Sequence, residues 1–104
     1  MPTNVPLTPT LRQAVRWLRK NFPTRMPVTV KLLASQPGLH GLCQVRRGRA
    51  TITITLDTDT VMLESLLEEW VHVLRFDCPV PCEDDHDQIF WAILGLVTKK
   101  WRGE

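Results

Sequence analysis

Residues 50–74 read ATITITLDTDTVMLESLLEEWVHVL, and the spacing of the apolar residues changes within this stretch. Residues 50–56 alternate apolar side chains with threonine, which predicts a strand with one buried face. From about residue 61 to residue 75 the apolar residues recur at helical spacing, and candidate N-cap residues stand at positions 57–60. A strand followed directly by an amphipathic helix favours a mixed α+β domain.

The chain before residue 50 predicts one helix and two further strands. Thr8 is a good N-cap, Pro9 suits the first helical position, and apolar residues then recur at helical spacing as far as Phe22. The run Arg46-Arg47-Gly48-Arg49 has the composition of a hairpin turn. The three strands are predicted at residues 28–33, 42–45 and 50–56.

The chain after residue 75 predicts a loop and a closing helix. Prolines interrupt residues 78–82, and Asp84 or Asp85 then caps a third helix that runs to about Trp101. The whole chain, residues 1–104, is therefore predicted to form one α+β domain. It has an N-terminal helix, a three-stranded antiparallel or mixed sheet that contains a hairpin, and two final helices.

The charges are divided unequally along the 104 residues, although the formal net charge is only +2. Residues 1–56 carry nine Lys or Arg and no acidic residue, whereas residues 57–104 carry all eleven acidic residues and four basic ones. This division excludes a uniformly basic nucleic-acid-binding domain. The composition, 43% hydrophobic and 23% charged, is that of a folded globular protein.

The sequence has no segment that predicts a membrane span or export. The longest apolar run, Ile89–Val97, has nine residues, whereas a spanning helix needs about 20. Residues 1–7 lack the basic start and apolar core of a signal peptide. Three cysteines are too few, and odd in number, for a disulfide scaffold. We therefore expect a cytoplasmic protein that does not enter a membrane.

The second predicted helix contains the strongest chemical signal in the sequence. Glu68 and His72 lie one turn apart on the same face of that helix, and Glu69 lies beside them. His86 opens the predicted third helix, so two histidines and a carboxylate can meet where the two helices pack. Two nitrogen ligands and one oxygen ligand suit a divalent metal ion.

The same residues also fit an ordinary amphipathic helix. Apolar residues fill one side of the second helix, and its polar residues fall within one arc of about 140°. A solvated acidic face explains that pattern without any metal, and the periodicity alone favours this interpretation. The polar arc contains Glu64, Ser65, Glu68, Glu69, His72 and Arg75.

A resemblance to a known family favours the metal site. The run Glu68-Glu69-Trp70-Val71-His72, followed by His86-Asp87 and the aromatic pair Phe90-Trp91, resembles the zincin metallopeptidase signature. In that signature H-E-x-x-H on a helix is joined by a third histidine. The chain is most similar to the small SprT-like domains and to small phage and bacterial domains with an H-E-W-A-H helix. The resemblance covers roughly residues 8–101 and implies a minimal zincin-like fold with zinc-dependent hydrolysis of peptides or proteins.

Within this resemblance, each site residue takes a role from the family. His72 matches the second metal-binding histidine, and His86 matches the third ligand. Glu69 matches the general base, which takes a proton from the attacking water and passes it to the leaving amine. Glu68 stands where the family has its first histidine, so the motif is degenerate.

The glutamate at position 68 leaves three outcomes open. In the first, Glu68 itself binds zinc, and this anionic ligand weakens the ion as a Lewis acid and reduces activity. In the second, the chain has lost its metal and keeps the fold only for binding. In the third, the match to the motif is a coincidence. The expected function is therefore that of a metallopeptidase-like domain whose activity is weak or lost.

Cys78 and Cys82 offer a different zinc site. Together with His72 and His86 they place four residues of the types that zinc prefers at the spacing H-x5-C-x3-C-x3-H. This spacing is not that of a C-x2-C zinc finger, so small loop residues are the simpler interpretation of the two cysteines. Cys43 is expected in the core.

The basic half of the chain supports a second function class, a non-catalytic binding module for nucleic acid or an acidic partner. The first helix and the hairpin turn each present several arginines, which together could neutralise several phosphates. Trp17 could stack on a base or belong to the core, and the charges could instead offset the acidic half within the fold. The arginines concerned are Arg12, Arg16, Arg19, Arg46, Arg47 and Arg49.

Overall fold

A computed structural model of the protein describes residues 4–34, 38–82 and 84–104. Within these ranges the chain forms three helices and one four-stranded sheet, which confirms the α+β class and the order of helix, strands and two final helices. The elements are β1 (Asn4–Val5), α1 (Pro9–Asn21), β2 (Val28–Leu33), β3 (Gly41–Arg46), β4 (Arg49–Thr55), α2 (Asp59–Asp77) and α3 (Gln88–Trp101).

The sheet is mixed and has one strand more than the sequence predicted. Its strand order is β1-β2-β4-β3, with β2 parallel to β4 and with β1 and β3 antiparallel to their neighbours. The additional strand is short, because only Asn4 and Val5 pair, opposite Leu33 and Leu32. Two residues are too few to show an alternating pattern, so periodicity could not reveal β1. The order leaves β3 as an edge strand, and β3 lies next to α2.

One face of the sheet is buried by the helices, and the other face is open. The alternation predicted for β4 is confirmed, because Ile52 and Ile54 are fully buried while the threonines between them are partly accessible. In β2, Val28 and Leu32 are buried in the same way and lie in register with β4. Since side chains alternate between faces, this register places the apolar residues of both strands under the helices.

All three helices contribute to a single core above this sheet face. The core includes Leu11 and Leu18 of α1, Leu66 and Trp70 of α2, and Phe90 of α3. The indole N–H of Trp70 donates to the carbonyl of Phe22 at 2.9 Å, so the only polar atom of this buried ring is paired. In the described ranges no helix is both long and apolar enough to cross a membrane.

The predicted hairpin turn between β3 and β4 is confirmed. Arg47 and Gly48 have φ angles of 51° and 74°, and Arg46 pairs with Arg49 across the turn. Two central residues with positive φ define the tight turn whose twist matches that of the flanking strands. Glycine adopts this conformation freely, whereas the side chain of Arg47 makes it unfavourable.

The observed start of α1 agrees with the prediction, whereas the observed starts of α2 and α3 differ from it. Thr8 caps α1 by accepting from the amide of Leu11 at 3.2 Å, as predicted. Helix α2 begins at Asp59 with Thr58 as its N-cap, about two residues earlier than predicted. The prediction that Asp84 or Asp85 caps α3 is wrong, because the N-cap is Asp87.

A buried ion pair explains why Asp87 takes the cap position. Arg75 is only 2% exposed, and its guanidinium donates to both oxygens of Asp87, at 2.7 Å for the shortest contact. It also donates to the carbonyls of Val80 and Pro81, at 2.8 and 3.0 Å. The interpretation of Arg75 as part of a solvated polar face is therefore wrong. This residue fastens the loop before α3 onto α2.

Candidate metal centre

Glu68, His72 and His86 converge where α2 meets the start of α3. The Nε2 atom of His86 lies 3.2 Å from Nε2 of His72 and 3.5 Å from Oε1 of Glu68. One ligand atom from each side chain can be chosen so that all three lie within 4.8 Å of one another, and the group could therefore hold a metal ion. The convergence predicted for these three residues is thus present, with two ligands from α2 and one from the turn before α3.

The pair Arg75–Asp87 positions His86 over His72. Arg75 lies three residues after His72 on α2, and Asp87 directly follows His86. Because the buried ion pair holds Asp87 against α2, it also sets where His86 can lie. In addition, Asp84 accepts a hydrogen bond from the backbone amide of His86 at 2.7 Å. The positioning role of Arg75 was not predicted from the sequence, in which its only signal is an arginine one turn beyond a candidate ligand.

An aromatic ring fixes the orientation of both imidazoles. Phe90 is fully buried, and its ring centroid lies 4.5 Å from that of His72 and 4.6 Å from that of His86. The two imidazoles are themselves stacked at 5.0 Å with an interplanar angle of 27°. The ring of Trp91 also packs against His86, with 5.5 Å between the ring centroids. Packing against Phe90 and against each other therefore restricts the rotation of both imidazole rings.

Glu69 lies beside this group, in a cleft between α2 and the edge strand β3. The cleft has a volume of about 320 Å³, and its wall includes Glu69 and His72. Burial, and secondly the charge of Glu68, raise the pKa of Glu69 to about 7. A Cβ atom at Gly41 would lie 3.2 Å from Cγ and Oε2 of Glu69, so the absence of a side chain there gives the carboxylate its room.

His72 is poised to offer a neutral ring nitrogen. Burial is the main cause that lowers its pKa, and the neighbouring His86 lowers it further. The carboxylates of Glu68 and Asp85 act in the opposite direction. A metal ligand must be deprotonated at the ligating nitrogen, so a lowered pKa favours binding at neutral pH.

The cysteines do not complete a second zinc site in the part of the chain that the structure describes. All three are free thiols, and the metal-binding group found there contains neither Cys78 nor Cys82. Cys78 follows the last residue of α2, and Cys82 is exposed on the rim of the cleft. Cys43 is half-buried on β3, where burial and secondly Glu69 raise its pKa to about 11.

Among the predicted binding arginines of α1, Arg19 lies at the hairpin end of the sheet, whereas α1 begins beside the start of α2, where Thr10 donates to Asp59. Arg12, Arg16 and Arg19 line a groove of about 350 Å³ beside β2, and Arg19 donates to the carbonyl of Val28 at 2.9 Å. Val28 pairs with Ala50, which follows Arg49 of the hairpin. The hairpin arginines, Arg46, Arg47 and Arg49, are exposed.

Trp17 belongs to the packing of this part of the fold. The residue is partly buried, and its ring centroid lies 5.8 Å from that of Phe22 and 4.9 Å from that of Trp101. The contact with Trp101 is edge to face. These contacts favour the core interpretation of Trp17 over base stacking.

Comparisons with known proteins leave the geometry as the main source of functional argument. No protein-family model matches the chain, and no curated protein sequence matches it. The resemblance to zincins therefore stays a prediction that rests on residues 68–91.

Proposed function

We propose that this protein binds zinc through Glu68, His72 and His86 and hydrolyses peptide bonds weakly, with Glu69 as the general base. The observation that carries the proposal is the convergence of three ligand atoms, with separations of 3.2 and 3.5 Å from Nε2 of His86. Two ligands that are each about 2.0–2.1 Å from a tetrahedral zinc ion lie about 3.3–3.4 Å apart. The observed separations are close to that value.

The types of ligand favour zinc over the hard cations. Magnesium and calcium prefer oxygen ligands, whereas two imidazoles and one carboxylate form a common zinc set with a free fourth position. His72 and His86 supply the nitrogens, and Glu68 supplies the oxygen. Glu68 and His86 are accessible from solvent, because 43% and 44% of their side-chain surfaces are exposed. An ion can therefore reach them.

The roles of the residues follow from their positions. A bound zinc ion supplies Lewis acidity toward a carbonyl and lowers the pKa of water. Glu69 lines the cleft next to His72, where its carboxylate can accept a proton from water and deliver it to a leaving amine. Because Glu68 is an anionic ligand, it reduces the Lewis acidity, and we therefore expect weak activity.

The edge strand β3 suits an extended peptide as substrate. It is the last strand in the sheet order, so its outer backbone groups have no strand partner in the described sheet. An extended peptide can add to such an edge through backbone hydrogen bonds. The cleft between β3 and α2 would then carry the peptide past Glu69 and His72.

Zinc binding to chelator-treated protein tests the metal site. We expect titration calorimetry and elemental analysis to give one zinc ion per chain. His86→Ala should weaken binding at least about 100-fold, since it removes one of three ligands. The matched control is His40→Ala, because His40 is an exposed histidine outside the group. Equal binding by the two variants, or no binding by the native chain, would refute the site.

Hydrolysis of a fluorogenic peptide library tests the catalytic role separately. Glu69→Gln should abolish turnover while it leaves the zinc stoichiometry unchanged. Glu68→His restores the complete motif and should raise the turnover by about tenfold or more. If zinc-loaded Glu68→His shows no hydrolysis above a protein-free control, the peptidase part of the proposal fails even where zinc binds.

The exposed hairpin arginines, together with Arg19 at the same end of the sheet, support a second candidate, the binding of nucleic acid or an acidic partner. Arg19 and Arg49 lie at the same end of the sheet. Arg19 donates to the carbonyl of Val28, and Val28 pairs with Ala50, the residue after Arg49. Retention on DNA or heparin should fall as salt rises and should be lost in Arg46→Ala/Arg47→Ala. Unchanged retention of that variant would exclude the hairpin as the contact.

A further inference from the structure

Helix α3 has an apolar face that is largely exposed in the described part of the chain. Trp91 and Leu96 are 55% and 64% exposed, and the exposed residues Ala92 and Gly95 lie between them. At 100° per residue these four positions fall within one arc of about 140°, on the side of the helix away from buried Phe90 and Val97. A continuous exposed apolar face on a helix indicates an interaction surface. We call these four residues the outer face of α3.

Gly95 is not required by the fold of the single chain. It stands in the middle of a helix, where glycine is less favourable than alanine. Its φ angle is not positive, and an added Cβ would meet no atom within 4 Å. Neither the backbone conformation nor internal packing therefore explains the residue. A second helix lying close against the outer face would explain it, because glycine lets two helix backbones approach.

We propose that the outer face of α3 binds the same face of a second copy of the chain, with the two helices antiparallel about a two-fold axis near Ile93 and Leu94. In this register Ala92 of each copy lies opposite Gly95 of the other, so the helices approach most closely at the axis. Trp91 lies on one flank of this contact and Leu96 on the other, so each meets the same residue of the second copy, and the two pairs close the interface. A two-fold interface requires such a self-complementary surface.

The charges at the two ends of α3 select a second copy in the antiparallel direction. Asp84 lines the same groove as Trp91 at the N-terminal end, and Lys99 and Lys100 lie at the C-terminal end. An antiparallel pair places each acidic end beside the basic end of the other copy, and the helix dipoles also oppose. A parallel pair would bring like charges together. A partner of a single charge would be attracted by one end and repelled by the other.

Sedimentation equilibrium of the full chain in EDTA tests this pairing without any dependence on zinc. We expect the mass to rise from 12.0 kDa toward twice that value as the concentration increases from about 1 µM to about 1 mM. Gly95→Glu should weaken dimerisation at least tenfold and leave the melting temperature of the monomer unchanged or higher, because the site is open and glutamate favours helix. The control is Leu56→Glu, since Leu56 is an exposed leucine outside α3, and dimerisation should be unaffected.

Charge reversal tests the direction of the pairing. Asp84→Lys and Lys99→Glu should each weaken dimerisation several-fold, and the double variant should recover it. A native chain that stays at 12.0 kDa throughout the concentration range overturns the proposal. A dimer that Gly95→Glu leaves intact also overturns it, and a double variant weaker than both single variants overturns the antiparallel arrangement.

Discussion

The carboxylate of Glu69 lies against the backbone of β3 rather than in open water. An added Cβ at Gly41 would contact it, and burial raises its pKa to about 7. A carboxylate whose pKa is higher in the folded than in the unfolded chain favours folding only while it is protonated. Its contribution to stability is present below about pH 4.5 and is lost as the pH rises through about 7.

Glu69→Gln should therefore stabilise the metal-free protein at high pH. We expect a gain of about 1–2 kcal/mol at pH 8, after a discount for the solvent that screens a half-buried group, and little change at pH 4. Urea unfolding in EDTA, monitored by tryptophan fluorescence, measures the difference in the free energy of unfolding between the variant and the native chain. Glu64→Gln is the control, because Glu64 is an exposed glutamate on the same helix. Equal effects of Glu69→Gln at both pH values would contradict the burial of this carboxylate.

Arg47 is the residue at which the backbone is least suited to its side chain. Its φ of 51° lies in the left-handed region, in a tight turn that prefers asparagine at this position. Arg47→Asn should stabilise the protein by about 0.5–1 kcal/mol. Thermal unfolding measures this, with Arg46→Asn as the control on the adjacent strand residue. A stability loss in Arg47→Asn would show that the arginine side chain makes a stabilising contact.

At the scale of elements, the junction of α2 and α3 depends on the pair Arg75–Asp87. The pair is almost fully buried, and Asp87 also caps α3 by accepting from the amide of Phe90 at 2.9 Å. One contact thus sets the start of a helix and the position of His86. A metal site with two ligands on α2 and one before α3 needs such a connection, because its geometry depends on how the two helices dock.

Removing one charge of this pair should weaken zinc binding. The loss should exceed that caused by a distant substitution that lowers the free energy of unfolding by the same amount. Arg75→Met should destabilise the fold by about 3–5 kcal/mol, because it removes the buried cation that neutralises the Asp87 carboxylate. Asp87→Asn keeps a capping oxygen and is the milder variant. We expect it to weaken zinc binding by about 10–100-fold, as measured by calorimetry on folded protein. Native affinity in Asp87→Asn would show that the pair does not position His86.

At the scale of the whole molecule, zinc would join the closing helix to the rest of the fold. Helix α3 packs mainly on α2, so an ion held by Glu68, His72 and His86 adds a second connection between the two. Zinc at about 100 times its dissociation constant should raise the free energy of unfolding by about 2.7 kcal/mol. Thermal unfolding of the native chain and of His86→Ala, with and without zinc, measures this effect. The proposal fails if both proteins respond equally.

Several features of the fold follow from local patterns that need no knowledge of distant contacts. The isoleucine and threonine alternation of β4 predicted its buried face, and the glycine at position 48 predicted the turn. Thr8 and Pro9 predicted the start of α1. Each of these depends on residues within a few positions, so periodicity and capping chemistry are sufficient. The short strand β1 was missed because its pairing with β2 is its only signature.

The candidate metal site also has one part that the sequence predicted and one part that only the tertiary structure decided. Helical spacing alone placed Glu68 one turn from His72, and the sequence thereby determined which residues of α2 share a face. Only the tertiary structure decided that His86 reaches them, because its position depends on the burial of Arg75 against Asp87 and on the packing of Phe90. It also decided that Arg75 is buried and that Glu69 lies under Gly41. Local chemistry sets the direction of a side chain along its own element, whereas burial and charge pairing between elements appear only when the chain is packed.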